Sequence, residues 1–251
     1  MAPSDDRLKP ASYDDFRHLA SDDSLSKYER IGFPDRYRAG LEHRIAHDII
    51  DKLPQLHGSA GLVVDIGPGC SDLPALLIDA CAAHGHRLIL IDAPEMLARL
   101  PDRPFIRKVA GRFPHDCANL IAEIRGTAAA VVCYSVFHYV FAEGYVFQFF
   151  DAVLQLLAPG GRAIIGDIPN VSKRRRFFAS ARGKAFHRDF MQTGDDPIVE
   201  FNQLDPGAID DAALLGLVAR ARSMGFEAYL LPQQDDLPMA NRREDLLVAR
   251  P

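Results

Sequence analysis

Two carboxylates and one glycine turn carry the first readable chemistry. The run Val63-Val64-Asp65-Ile66-Gly67-Pro68-Gly69-Cys70-Ser71-Asp72 passes from an apolar stretch to an acid and then directly to Gly-x-Gly. Leu73-Pro74-Ala75-Leu76-Leu77-Ile78 comes next as the start of a helix, so the turn joins a strand to a helix N-terminus. Glycines there let a ligand approach the backbone, and the helix start presents amide N–H groups that no helical carbonyl uses. A second apolar run, Arg87-Leu88-Ile89-Leu90-Ile91-Asp92, also ends in an acid. A carboxylate at the tip of the second strand is placed to take the hydroxyls of a nucleoside ribose. The competing use of Asp92 is a helix N-cap, because Pro94 suits the first turn of a helix starting just after it. A lone Gly-x-Gly also occurs for steric reasons only; the pairing with Asp92 gives it weight.

A second group lies further along. His138 comes after the apolar run 128–134, and Asp167 ends the run 162–167. In one parallel sheet these two tips are neighbours on the ligand-facing edge. A neutral His138 imidazole there would take the proton of an attacking hydroxyl, with Asp167 orienting it and stabilising its cation. Packing or helix capping is the bland use of the same His138. Asp167 and Asn170 offer hard oxygen ligands, but two are too few for a magnesium site, and no metal is expected. Lys173-Arg174-Arg175-Arg176, with Arg182, Lys184, His187 and Arg188, forms a cationic cluster in an otherwise acidic chain. Arg174, Arg175 and His187 are candidates to receive a phosphate or carboxylate on a substrate, with Phe177, Phe178 and Phe186 against a ring or apolar face. A solvated helix face is the alternative. Tyr28, Tyr37 and Tyr139 are expected to help close the pocket.

The elements that must position these groups emerge from pattern. Strands are predicted at 62–66, 87–92, 105–109, 128–134, 162–167, 226–232 and 244–250, and helices at 71–84, 115–124, 143–157 and 207–224. Pro159-Gly160-Gly161 stops the helix before the fifth strand. The alternation predicts an α/β fold: a seven-stranded, mostly parallel, doubly wound sheet with helices on both faces. The last two strands have no helix between them and are expected to close it as an antiparallel pair. Residues 1–24 are rich in Asp, Ser and Pro and are expected to start disordered; 25–53 read as helical segments broken at Gly32-Phe33-Pro34. The predicted organisation is a helical cap over 1–53 and one ligand-binding domain over 54–251, with a lid insertion at about 169–206.

Composition narrows the classes. At 251 residues and 48% hydrophobic content the chain affords one large core. A formal charge of −5 argues against general nucleic-acid binding. Four cysteines without a Cys-x-x-Cys pair imply neither a zinc nor a disulfide framework and suit a reducing cytoplasm. No run is long enough to span a bilayer.

Taken together, 37–250 resembles a class I S-adenosylmethionine-dependent methyltransferase, in the glycine turn, the acid-tipped second strand, Leu157-Ala158-Pro159-Gly160-Gly161 and the final strand pair. The resemblance implies S-adenosyl-L-methionine as cofactor. Asp65, Gly67 and Gly69, with Cys70 and Ser71, would form the cofactor turn, and Asp92, with Ala93, the ribose site. Gly111-Arg112-Phe113 would flank adenine, and Tyr134-Ser135 would lie near the methionine part. Three positions depart from the family pattern: Ser71 replaces a third glycine, Arg112 stands where an acid often comes after the glycine, and Ala128-Ala129-Ala130 lacks an acid. The implied activity is methylation of a small polar acceptor, first an oxygen of a sugar or related metabolite, and alternatively an amine or carboxylate. A non-catalytic nucleoside-binding module would share the binding features. A nicotinamide-dependent reductase fits less well, since no Tyr-x-x-x-Lys pair is evident.

Overall fold

The computed structural model describes residues 12–203 and 205–251. Seven strands form one sheet: β1 (Leu62–Ile66), β2 (Arg87–Asp92), β3 (Ile106–Ala110), β4 (Ala128–Tyr134), β5 (Leu157–Pro169), β6 (Glu227–Pro232) and β7 (Arg243–Ala249). Their order is β3-β2-β1-β4-β5-β7-β6. The pairs from β3 through β5 are parallel, whereas β7 runs antiparallel to both β5 and β6. The antiparallel strand is therefore one position in from the edge, and β6 is the edge.

Alternation along the central strands explains the two helical layers. Val131 and Cys133 face one core, and Ala130, Val132 and Tyr134 face the other. The first face is covered by α5 (Ala118–Glu123), α6 (Phe137–Ala142), α7 (Val146–Leu156) and α10 (Asp211–Ser223). The opposite face is covered by α2 (Glu42–Lys52), α3 (Leu73–Ala83) and α4 (Pro94–Leu97). Because Ile45, Ala46 and Ile49 of α2 pack in the same core as Val63 and Leu90, a boundary at 53 divides one packed layer. No helix among the described residues is long and apolar enough to cross a membrane.

The predicted disorder of 1–24 does not extend over its second half. Residues 1–11 lie outside the described residues, but α1 (Tyr13–Ser21) starts directly after Ser12. Ser12 Oγ accepts from the Asp15 amide, and the Asp15 carboxylate accepts from the Ser12 amide. This reciprocal cap satisfies two helix-end donors and stabilises the helix by about 1 kcal/mol. The expected helix 143–157 is α7, and a short helix that the sequence reading did not predict, α6, precedes it, the two parted at Gly144 with φ +83°. The expected lid begins with α8 (Val171–Ala179) and α9 (Ala181–Met191). Asn170 starts α8 by accepting from the Ser172 and Lys173 amides, and its Nδ2 donates to Asp211.

Candidate functional site

The C-terminal tips of β1, β2 and β4 open into a cleft. Gly67 and Gly69 form its floor at φ +70° and +68°. Both positions exclude a side chain twice over. The backbone is left-handed, and a Cβ would meet Val136 Cγ2 at 2.5 Å or Ile31 Cγ2 at 2.8 Å. The Asp92 carboxylate faces this floor, accepting from the Gly69 amide at 2.9 Å and from the Ala93 amide at 2.7 Å. Asp92 therefore braces the turn rather than capping α4. Burial pushes its pKa up to about 6, against the pull of those two amides. Asp65 is buried behind the floor and does not line the cleft; burial, with Asp92 nearby, raises it to about 8, so it is mostly uncharged at neutral pH. Cys70 and Ala93 are also outside the lining, packed with Ala20 and Met96. Burial lifts the Cys70 thiol to about 11, which leaves it inert.

Ser71, Gly111, Arg112, Phe113, Tyr134 and Ser135 all line the cleft. Arg112 pairs with Glu143, just past the end of α6, and lies 5.0 Å from the Tyr145 ring centre. The roof comes from the predicted N-terminal cap: Ile31, Phe33 and Arg38 of it line the cleft, joined by Tyr13 and Phe16 of α1, which sequence reasoning did not name. Phe16 meets Tyr139 edge to face at 4.7 Å, so Tyr139 does close the cleft. Tyr28 does not: it is buried and donates to Asp72. The spacing Tyr13, Phe16, Ala20 on a capped helix was the available signal for this roof.

At the tips of β4 and β5 a polar cluster forms around Asp167. Arg38 is 3% exposed and lies 3.4 Å from Asp167 Oδ2; its Nη2 donates to Ser135 Oγ at 2.5 Å, and Ser135 donates to Asp167 Oδ2. Arg243 adds a second cation 3.6 Å from the same oxygen. The Asp167 amide donates to Asp245, which is fully buried and bridged by Lys52. Ser135 and Asp167 both hold positive φ, at 61° and 59°, an arrangement non-glycine residues sustain only when surrounding bonds enforce it. The predicted orientation of His138 by Asp167 is not formed: no hydrogen bond joins the two among the described residues, and Asp167 Oδ2 is taken by Ser135 and Arg38. His138 Nδ1 is buried without a hydrogen-bond partner, and His138 does not line the cleft. Burial, reinforced by Arg243, pushes its pKa down to about 3.

A second cavity lies beside the first, over the ends of β6 and β7. It is the roomier of the two, with about 1360 against 940 Å³ of empty space out to the mouth. α8 and α9 wall this cavity and do not line the cleft. Tyr37 belongs here. Arg174, Arg175 and His187 line neither cavity: Arg174 rests on the Phe178 ring, Arg175 pairs with Asp205, and His187 packs against Phe178. The side chains facing inward are instead Lys173, Arg176, Arg182 and Arg242.

No family model matches the sequence, and no curated protein matches it. Solved structures do. A chain of the Haloferax volcanii complex between the Trm112 methyltransferase activator and a candidate methyltransferase is similar with a TM-score of 0.54 at 14% identity, covering 94% of this chain and 97% of that one. The N-methyltransferase NodS of Bradyrhizobium japonicum WM9, solved with S-adenosyl-L-homocysteine, gives 0.53 at 16%, covering 96% and 100%. The methyltransferase domain of bacterial CtHen1 gives 0.54 at 16%, covering 84% and 99%. The chain thus has the Rossmann-like fold of class I S-adenosylmethionine-dependent methyltransferases.

Proposed function

We propose that this chain is an S-adenosylmethionine-dependent methyltransferase acting on an oxygen of a small polar acceptor. The observation that carries the reading is Asp92, half-buried at the β2 tip and facing a glycine floor that admits no side chain. Each Asp92 oxygen accepts one amide and keeps a lone pair for a ribose hydroxyl. Phe16, Met96 and Phe113 give the cleft the apolar faces that a purine requires, and Arg112 Nε is buried there without a partner. Arg38, at the other end, is suited to an amino-acid carboxylate.

When bound, S-adenosylmethionine supplies a sulfonium-activated methyl group. The chain's own contribution is placement: the locked tips of β4 and β5 fix where an acceptor oxygen is held, and the aromatic roof excludes water. At the tips of β4 and β5, His138 is a weak base and Asp167 is paired with two arginines, so neither is suited to take a displaced proton. That observation favours a second reading, in which the accepting oxygen is already ionised, as in a carboxylate.

Calorimetry tests the proposal. S-adenosylhomocysteine is expected to bind with micromolar or tighter affinity and NAD not at all; failure of S-adenosylhomocysteine to bind overturns it. Transfer of labelled methyl to an acceptor separates an enzyme from a module that only binds.

A further inference from the structure

The second cavity has a chemistry of its own. Three phenylalanines of α8 and α9 line it, and two remain open to solvent: Phe186 is 39% exposed and Phe190 is 55% exposed. Phe186 and Phe190 lie parallel, with ring centres 5.8 Å apart and planes 11° from each other. Uncovered aromatic surface of this kind, inside a concavity, is surface left for a ligand to cover.

The polar groups are specific. Lys173 is tethered to the Arg243 carbonyl, Arg176 is neutralised by Asp211, and Arg182 faces Asp235, the one acid of the lining among the described residues. Arg242 is different. Its half-buried guanidinium makes no hydrogen bond or ion pair among the described residues, and Arg243 and Arg174 crowd it with like charge. A cation so placed lacks its anion.

Two acceptor oxygens in the lining also lack partners, Gln233 Oε1 and Asn241 Oδ1. Gln233 is 4% exposed, and its orientation is fixed. Nε2 donates to Asp245 Oδ1 at 3.0 Å and to Tyr134 Oη at 3.1 Å, and a carboxylate can only accept, so Oε1 must be the free end. A buried acceptor left bare is costly, and a ligand hydroxyl or amine would relieve it.

The cavity and the cleft share a wall. Tyr134 lines the cleft, and Gln233, bonded to it, lines the cavity; Arg38 and Tyr37 divide in the same way. One layer of side chains separates the two spaces at this point.

We propose that the second cavity is a binding site of its own, separate from the cofactor cleft, and takes a flat, aromatic or similarly apolar molecule carrying one anionic group, with a hydroxyl or amine donor. The anion meets Arg242, the ring meets Phe186 and Phe190, and the donor meets Gln233 or Asn241. Sugars fit less well, because the walls offer three phenylalanines and few acceptors for many hydroxyls.

The test is calorimetry on the full chain with 4-hydroxybenzoate, 4-hydroxyphenyl phosphate, phenol and ribose 5-phosphate, each with and without saturating S-adenosylhomocysteine. At least one aryl anion is expected to bind more tightly than phenol and ribose 5-phosphate, and the tighter of the two shows whether the anion is a carboxylate or a phosphate. Arg242→Gln is expected to weaken that binding about tenfold, the loss of one charge-assisted hydrogen bond. Phe190→Ala, at an exposed position where folding is not at stake, is expected to weaken it several-fold. Equal binding of ribose 5-phosphate, or no effect of Phe190→Ala, overturns the ligand assignment. Aryl binding abolished by S-adenosylhomocysteine would put the aryl anion in the cleft and overturns the separate site. Aryl binding without any S-adenosylhomocysteine binding overturns the methyl-transfer reading and leaves the site; the reverse result does the opposite.

Discussion

The cleft over β1 and β2 and the cavity over β6 and β7 occupy the same edge of one sheet, yet they are built differently. The cleft floor is made by short, contiguous motifs: a glycine turn whose backbone must be left-handed and an acid at a strand tip that braces it. The cavity is assembled from Tyr37, two helices after β5 and the 232–242 segment, and its distinctive groups are polar atoms without partners. A floor that tolerates no Cβ serves a ligand whose shape does not vary. A wall of long cations and exposed rings accommodates variation in its ligand.

Substitutions that act on one space and spare the other sharpen this contrast. The largest expected effect is Asp92→Ala, which removes two ribose contacts and should weaken S-adenosylhomocysteine about a hundredfold while leaving aryl-anion binding in the cavity unchanged. Calorimetry reads both, and a loss in both would mean that the spaces are not separable. Phe16→Ala opens the roof and should cost the same ligand about tenfold through lost apolar contact; an intact affinity would show that α1 covers the cleft without touching its ligand. His138→Gln should change turnover by no more than about threefold, since a base in use would be worth a hundredfold or more. A drop of that larger size, with a pH profile that moves, would restore His138 as the proton acceptor.

The smallest effect concerns pH. The Asp65 carboxyl keeps its proton to about pH 8 when folded, against 3.8 for the free side chain. The folded state therefore binds more protons across that window, and stability falls as pH rises through it. Asp65→Asn does not titrate, so its melting temperature should gain on that of the wild type as pH climbs from about 4 to about 8. A constant difference would mean that Asp65 is better solvated than its burial indicates.

Legibility in the sequence divides along the same line. The runs 62–66 and 87–92 match β1 and β2 residue for residue, because a strand buried on both faces reads as an unbroken apolar run. Gly67, Gly69 and Asp92 were readable because each answers a local demand of backbone or strand end. Arg38 was not: its role is set by Ser135 and Asp167, about a hundred residues away in the chain, and no local pattern marks it. The basic run misled for a related reason. Periodicity along α8 turns Arg175 towards Asp205 and Lys173 and Arg176 inward, Arg176 already paired with Asp211, and Arg242, which has no anionic partner among the described residues, is outside the run altogether. His138 was placed correctly after β4, but burial, which the sequence does not display, removed its basicity.

The position of β7 has a consequence for how the molecule comes together. β6 precedes β7 in the chain, yet its only strand neighbour is β7, which lies between it and β5. β6 therefore has nothing to pair with until its successor arrives, and β5 shows an unprotected margin to other chains in the interval. β6 reaches the sheet only through β7, either after β7 has seated on β5 or together with it as a preformed hairpin.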